Sequence, residues 1–349
     1  MFYIFIICLL CIWYVYSFYK ERKRQRGDHY IILELVIPND SDKGGFAWHL
    51  HMVQSGIYLA RKYRKKLFVW FNDGYYYDKR VGPNWWEYYF TQPYIFTDSE
   101  RHFLMGCIKD RWMTEILDDT FKKQSRPYLM TNFSFQYVVR PHHLDWSVFY
   151  RYIHLNEVMS AAIDQFVSRF FGAEMVGVHY RGTDKYPSNG DPEDVGDGHM
   201  RYDIMISEVD KYIRESPGCR IFVASDEQPF VDSMRNHFGN KIVTYDSARS
   251  TLNTSGLDLG ETYECTLEDD RKECKRYFDI VKNHSIHRGE NGIPPYKKGY
   301  DAVMDMYLLS RCGVMFRNAD GGNFSSQPKR INPGMKLYSY KDKQFVLSD

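Results

Sequence analysis

Three short polar clusters in this 349-residue chain carry side chains able to do chemistry on an anion. The first is His179-Tyr180-Arg181-Gly182-Thr183-Asp184-Lys185. A guanidinium at Arg181 can fork onto two phosphate oxygens and neutralise a leaving group, and Lys185 adds a second cation to the same loop. An ion pair between Arg181 and Asp184 accounts for the same residues without any ligand. The second cluster is Ser225-Asp226-Glu227. Its carboxylates can accept from a ribose or a base edge, or cap a helix that starts near Gln228-Pro229. The third is Asn323-Phe324-Ser325-Ser326-Gln327, whose hydroxyls suit a helix N-terminus, either as an anion site or as a plain cap. No CxxC, HxxxH or convincing paired-Asp spacing suggests a metal site, so Arg and Lys are the sources of positive charge.

Each cluster sits where a strand should end. An apolar run at 175–180 reads as a strand, followed by a polar loop at 181–199 and a helix at 202–214. A strand at 221–224 leads to Ser225-Asp226-Glu227, then a helix to position 238 and a strand at 242–245. A polar stretch at 246–298 reads as a long loop or insertion. A helix at 300–311 and a strand at 313–316 precede the third cluster. This alternation predicts a parallel, doubly wound sheet, and such sheets bind ligands beyond the carboxyl ends of their strands. Upstream, a strand at 31–37, a turn-rich loop through Gly44 and Gly45, a helix ending in the charge run 61–66 and a strand at 66–71 form another α/β unit. Residues 72–143 are rich in Tyr, Trp and Pro and read as irregular, though a stretch this long must hold some structure of its own. A helix at 156–170 bridges the halves.

The net charge of +1 gives no electrostatic pull toward nucleic acid. Residues 1–19 are almost wholly apolar and about as long as a bilayer requires, so they predict a retained single-pass transmembrane anchor, with 20–30 as a basic stalk. Lys20, Arg22, Lys23, Arg24 and Arg26 follow that run, which by the positive-inside rule places the remaining domain in the cytosol. Of seven cysteines, Cys8 and Cys11 lie in the apolar run; Cys265 and Cys274 could close a loop in a lumen, whereas free buried thiols are the alternative. Sequons at Asn39, Asn132, Asn253, Asn283 and Asn323 matter only in a lumen.

Together these residues resemble the α1,6-fucosyltransferases and the bacterial nodulation fucosyltransferase, and more distantly the protein O-fucosyltransferases. Gly44-Gly45-Phe46-Ala47-Trp48-His49-Leu50-His51 looks like that superfamily's glycine loop running into Leu-His. Trp86-Glu87-Tyr88-Tyr89-Phe90 is similar to its Trp-Glu-x-x-Phe. The first cluster looks like His-x-Arg-Arg-Thr-Asp-Lys, with Gly182 where the second Arg would stand. The stretch 221–230 is similar to a strand ending Ala-Thr-Asp-Asp-x-Pro. Residues 302–327 look like a helix bearing Asp305, a strand, then Phe-Ser-Ser-Gln, with extra residues around 318–322.

The resemblance implies a GT-B-like chain of two Rossmann-like α/β domains facing a cleft. Residues 31–155 would form the acceptor side and 156–349 the nucleotide-sugar side. It implies inverting transfer from GDP-fucose, or a related GDP-sugar, to a glycan or glycoprotein acceptor with no required metal or other cofactor. It also implies a Golgi or ER lumenal location, in conflict with the charges beside the apolar run. Arg181 and Lys185 would be catalytic, and Gly44, Gly45, His51, His179, Asp184, Asp226, Glu227, Asp305, Ser325, Ser326 and Gln327 would hold the donor. The superfamily's catalytic Glu would fall at Asn189, so Glu193 is the first choice of general base and Asp191 the second. Another transferase of this fold with a different nucleotide sugar, or a non-catalytic sugar- or nucleotide-binding protein, remain as alternatives.

Overall fold

The computed structural model describes residues 7, 10–16, 27–36, 45–116, 126–131, 146–182, 200–251, 292–318, 323–341 and 344–348. They form two α/β layers around two sheets. In the first sheet β1 (Tyr30–Glu34) is central. It pairs in parallel with β2 (Lys66–Trp70) on one side and β4 (Tyr128–Thr131) on the other, and β3 (Thr114–Glu115) pairs with β4. The run Tyr-Ile-Ile-Leu is apolar throughout because both faces of the sheet are covered. Ile31 and Leu33 pack toward α1 (Phe46–Lys62), whereas Tyr30 and Ile32 join a separate cluster with Phe103 and Leu104 of α2 (Asp98–Lys109). The latter helix, with β3 and β4, lies inside the stretch expected to be irregular. Its start is fixed by a capping box, in which Thr97 Oγ1 accepts from the Glu100 amide and Glu100 Oε2 accepts from the Thr97 amide.

The second sheet runs in the order β10-β9-β8-β5-β6-β7. Strands β5 (Met175–Tyr180), β6 (Arg220–Ser225), β7 (Ile242–Val243), β8 (Val314–Arg317) and β9 (Lys336–Lys341) are parallel, and β10 (Gln344–Ser348) adds an antiparallel edge. The chain winds from β5 outward through β6 and β7, then returns to the other side of β5 as β8. The strand order therefore reverses between β5 and β8. Helices α4 (Tyr202–Glu215) and α5 (Gln228–Phe238) cover one face, with Met205, Val209, Phe230 and Met234 against Val178, Ile221 and Val223. Helices α3 (Glu157–Phe170) and α6 (Pro295–Ser310) cover the other. The third polar cluster does not follow the last strand, as expected, but forms α7 (Asn323–Ile331) between β8 and β9. Helix α6 begins at Pro295, inside the stretch expected to be loop.

One apolar cluster runs from β1 and α1 through Phe149 and α3 to Met306 and Met315 beneath the second sheet. The two sheets thus share buried surface through α1, the 3-10 turn Trp146–Tyr152, α3 and α6.

The anchor expectation needs correction. Among the described residues no helix is long and apolar enough to cross a membrane. The single-pass membrane placement inferred from residues 1–19 is withdrawn, and with it the choice between a lumenal and a cytosol-facing side.

Candidate functional site

The reversal of strand order sets the carboxyl ends of β5 and β8 side by side, the place where sheets of this kind open a crevice for ligands, and the first and third clusters meet there. The pivot is Asn318, fully buried immediately after β8. Its Nδ2 donates to the Arg181 carbonyl (2.8 Å) and its Oδ1 accepts from the Arg181 amide (3.0 Å). One side-chain amide thereby fixes both backbone polar groups of Arg181, as a neighbouring strand would. The next residue, Gly182, donates its amide to Asp226 Oδ1 (3.0 Å).

Glu227 explains why position 182 is glycine. It is fully buried and accepts from Tyr202 Oη at the start of α4 (2.5 Å). A Cβ on residue 182 would lie 2.1 Å from Glu227 Oε1. Any larger side chain must evict a buried, hydrogen-bonded carboxylate, so no Arg fits there. Burial and the adjacent Glu227 raise the Tyr202 phenol far above its ordinary value, which keeps it a donor. Neither acid acts as a helix cap: Glu227 stands at the N-cap of α5 without a side-chain capping bond, and Asp226 is tied to Gly182 and, through its carbonyl, to the Ser250 amide (2.8 Å).

On the β8 side lies Arg317, 4% exposed. Its Nε donates to Ser339 Oγ of β9 (2.7 Å), and its Nη1 donates to Ser325 Oγ (3.3 Å) and Ser326 Oγ (3.0 Å). Helix α7 starts two residues before Ser325, so both serines are in its first turn. His179 is buried at the end of β5 and stacks on Phe324 (5.2 Å between centroids, 28°).

A second polar cluster is built against α6. Asp301 accepts from the Ala248 amide (3.1 Å) and pairs with Lys297. One turn on, Asp305 holds Oδ1 out of contact with water. Burial pushes Asp305 up from 3.8 to about 7; Asp301 adds to the rise, while Arg249, Ser247 and Lys297 oppose it. Arg249 is held by the Tyr245 carbonyl (2.5 Å). The 245–250 segment is pinned to the end of β6 by two backbone bonds, Ser250 N to Asp226 O and Gln228 N to Ser250 O (2.8 Å each), which ties this cluster to the residues beside Gly182.

Among solved structures, the fold is similar to that of the NodZ α-1,6-fucosyltransferase soaked with GDP-fucose. The TM-score is 0.51 at 13% identity, over 92% of this chain and 99% of that one. POFUT1 in complex with GDP gives 0.48 at 10% identity, over 90% of this chain and 99% of that one. A mutant of Arabidopsis thaliana FUT1 in complex with GDP gives 0.46 at 9% identity, over 94% and 75% respectively. No family model and no curated sequence matches the chain. The likeness to NodZ is one of fold, a mixed α/β architecture with parallel sheets, and it agrees with the superfamily that the sequence resembles.

The structure thus brings together His179, Arg181, Ser325 and Ser326, and beside them Asp226, Glu227 and Asp305. His51 and Gln327 belong to a different contact. Gln327 is fully buried and its Oε1 accepts from Tyr150 Oη (2.7 Å) and, at 3.5 Å, from Gln54 of α1. His51 packs on Trp146 (4.3 Å between centroids); burial and the Arg330 charge lower it to about 4, so it is neutral near pH 7. Gly45 is the N-cap of α1, with open space at its Cα. Gly44, Asp184, Lys185, Glu193 and Asp191 lie outside the described residues. Sequence reasoning passed over Arg317, Asn318, Tyr202 and Arg249. A lone Arg-Asn ending a strand carries no motif; its one signal is that it directly follows the three apolar strand residues Val314, Met315 and Phe316.

Proposed function

We propose that this chain is an inverting glycosyltransferase that moves fucose from GDP-fucose, or a related sugar from a GDP-sugar, to a glycan or glycoprotein acceptor. The observation that carries the reading is the crevice between β5 and β8. One side holds Arg181 through Asn318, and the other holds two serines in the first turn of α7. A diphosphate fits between a guanidinium and such a helix terminus. Asp305 suits the guanine, because a carboxylate accepts two donors side by side and guanine's N1–H and N2–H₂ present them. Uracil offers one donor, N3–H.

In the reaction the acceptor hydroxyl oxygen forms a bond to the anomeric carbon, and the bond from that carbon to the β-phosphate oxygen breaks, with inversion. The hydroxyl proton passes to a carboxylate, for which Glu193 is the first choice and Asp191 the second. GDP departs with the bonding electrons. Arg181 and the serines offset the charge growing on the β-phosphate, and Lys185 adds a further cation. No metal is required, since side chains supply that charge. Residues 156–349 form the nucleotide-sugar side and 31–155 the acceptor side. The test is thermal shift with GDP, UDP and ADP, followed by GDP-fucose turnover with candidate acceptors. GDP should raise Tm well above UDP; equal stabilisation by UDP, or none by GDP, refutes the assignment.

A further inference from the structure

The cation best placed to organise the anion crevice is one that no motif contains. We infer that Arg317 is a positioning residue that turns the Ser325 and Ser326 hydroxyls outward as hydrogen-bond donors to a bound diphosphate. This rests on the GDP-sugar reading of the crevice.

A serine hydroxyl has one hydrogen and two lone pairs, and it rotates to suit its neighbours. Arg317 settles that rotation. Its Nη1 carries two hydrogens and meets two hydroxyl oxygens, at 3.3 and 3.0 Å. A guanidinium has no acceptor, so each serine oxygen accepts and its own hydrogen must point elsewhere. The hydroxyl is also polarised, since an oxygen that accepts from a cation gives up its proton more readily to the next acceptor. Ser325 is buried and Ser326 half-buried, so Ser326 is the relay nearer to solvent.

The guanidinium itself is held from the side away from the crevice. Ser339, fully buried in β9, accepts from Nε at 2.7 Å, and Ser339 is paired with Ser348 of β10 (2.7 Å). The two strands that sequence reading missed therefore serve as the backing of Arg317. The neighbouring Asn318 fixes the Arg181 backbone, so consecutive residues at the end of β8 organise the two walls of the crevice.

The decisive measurement is the affinity of the full-length chain for GDP and for guanosine, by calorimetry, in four proteins: wild type, Arg317→Lys, Ser326→Ala and the double variant. An ammonium keeps the charge but cannot reach Ser339, Ser325 and Ser326 together. Arg317→Lys should weaken GDP by about tenfold or more, the scale of a charge-assisted hydrogen bond, and guanosine by less than about twofold. Adding Ser326→Ala to Arg317→Lys should cost no more than about a further twofold, because the two act as one unit. Ser339→Ala is the second route, since it removes the backing without touching the crevice and changes little volume; it should lower the GDP-over-guanosine preference about threefold. Equal losses of GDP and guanosine, or full additivity of the pair, or an unchanged preference in Ser339→Ala, overturns the inference. A wild type that binds guanosine but not GDP, or neither, overturns the nucleotide reading itself and this inference with it.

Discussion

Asp305→Asn should make the ligand-free protein more stable and the nucleotide complex weaker, and the size of both effects should follow pH. The Asp305 carboxyl titrates at about 7 in the fold against 3.8 ordinarily, mainly because burial disfavours its charged form. The sign follows directly: an acid with a raised value binds more protons folded than unfolded between those two pH values, so stability falls as pH rises through that window. The penalty is below about 1 kcal/mol at pH 4 and reaches about 4 kcal/mol at pH 8, at 1.36 kcal/mol per tenfold. Asparagine keeps the shape without the charge. The groups facing it, Arg249, Lys297, Asp301 and Ser247, stay in place and already contribute to the net value. Urea denaturation of both proteins at pH 5, 6, 7 and 8 should show a gain for the variant that grows with pH toward that bound. GDP affinity of the wild type should fall as pH drops below about 7, because protonation puts a hydrogen on an oxygen that must accept. The variant's affinity should be lower and flat. A variant with no extra stability at pH 8, or a wild type whose GDP affinity ignores pH between 5 and 8, refutes the reasoning.

Arg181→Ala should lower kcat by on the order of 10²-fold in a protein that still folds, since the two bonds from Asn318 hold the backbone of residue 181 and survive the substitution; a folded variant with near-normal kcat ends the catalytic role. Gly182→Ala should cost about 1–3 kcal/mol in urea denaturation, from the clash with Glu227, and Glu227→Ala in the same chain should recover part of it by opening the space; a neutral Gly182→Ala contradicts the packing. Tyr202→Phe should cost about 1–3 kcal/mol, because it leaves a buried carboxylate without a donor that it now has. Transfer activity should persist in EDTA; complete loss, restored by Mn²⁺, would show that side-chain cations are not sufficient.

The parts legible in the sequence were those governed by local pattern. Strands β5, β6 and β8 announced themselves as apolar runs, and α3 to α5 through the spacing of their apolar residues. Arg181 lies just past the end of β5, where the apolar run stops, whereas Ser325 and Ser326 open a helix between two strands rather than following the last one. The missed pieces had weaker local signals. Strand β3 has two residues and β4 four, and they are strands because β1 gives them a partner. Helix α2 carried a readable capping box, Thr97 to Glu100, hidden in an aromatic-rich stretch. Residues 318–322 read as an insertion that separated the chain from its resemblance, yet Asn318 proves to be the clamp on Arg181. Gly182 read as a lost charge; the structure adds that Glu227 and Tyr202 fill the room that a larger side chain would need.

Helices α6 and α7 also pack on elements of the N-terminal half, and that couples the two halves. Helix α7 carries Ser325 and Ser326 in its first turn and then buries Gln327 against Tyr150 and Gln54. Helix α6 carries Asp305, and its first turn is docked by Tyr89, whose hydroxyl donates to the Tyr296 carbonyl (2.8 Å). The fit is tight there: a Cβ on Gly299 would lie 2.3 Å from the Tyr89 hydroxyl. Tyr89 belongs in turn to the aromatic cluster around Phe46, the first residue of α1 after Gly45. A change at the Gly45 turn can therefore reach Asp305 through three packed contacts, Phe46 to Tyr89, Tyr89 to Tyr296 and Tyr296 along α6. Close-packed aromatic contacts of this kind deform little. The aromatic cluster around Phe46 and the helix that carries Asp305 are consequently parts of one buried assembly, and a substitution at Tyr89 bears on the placement of Asp305.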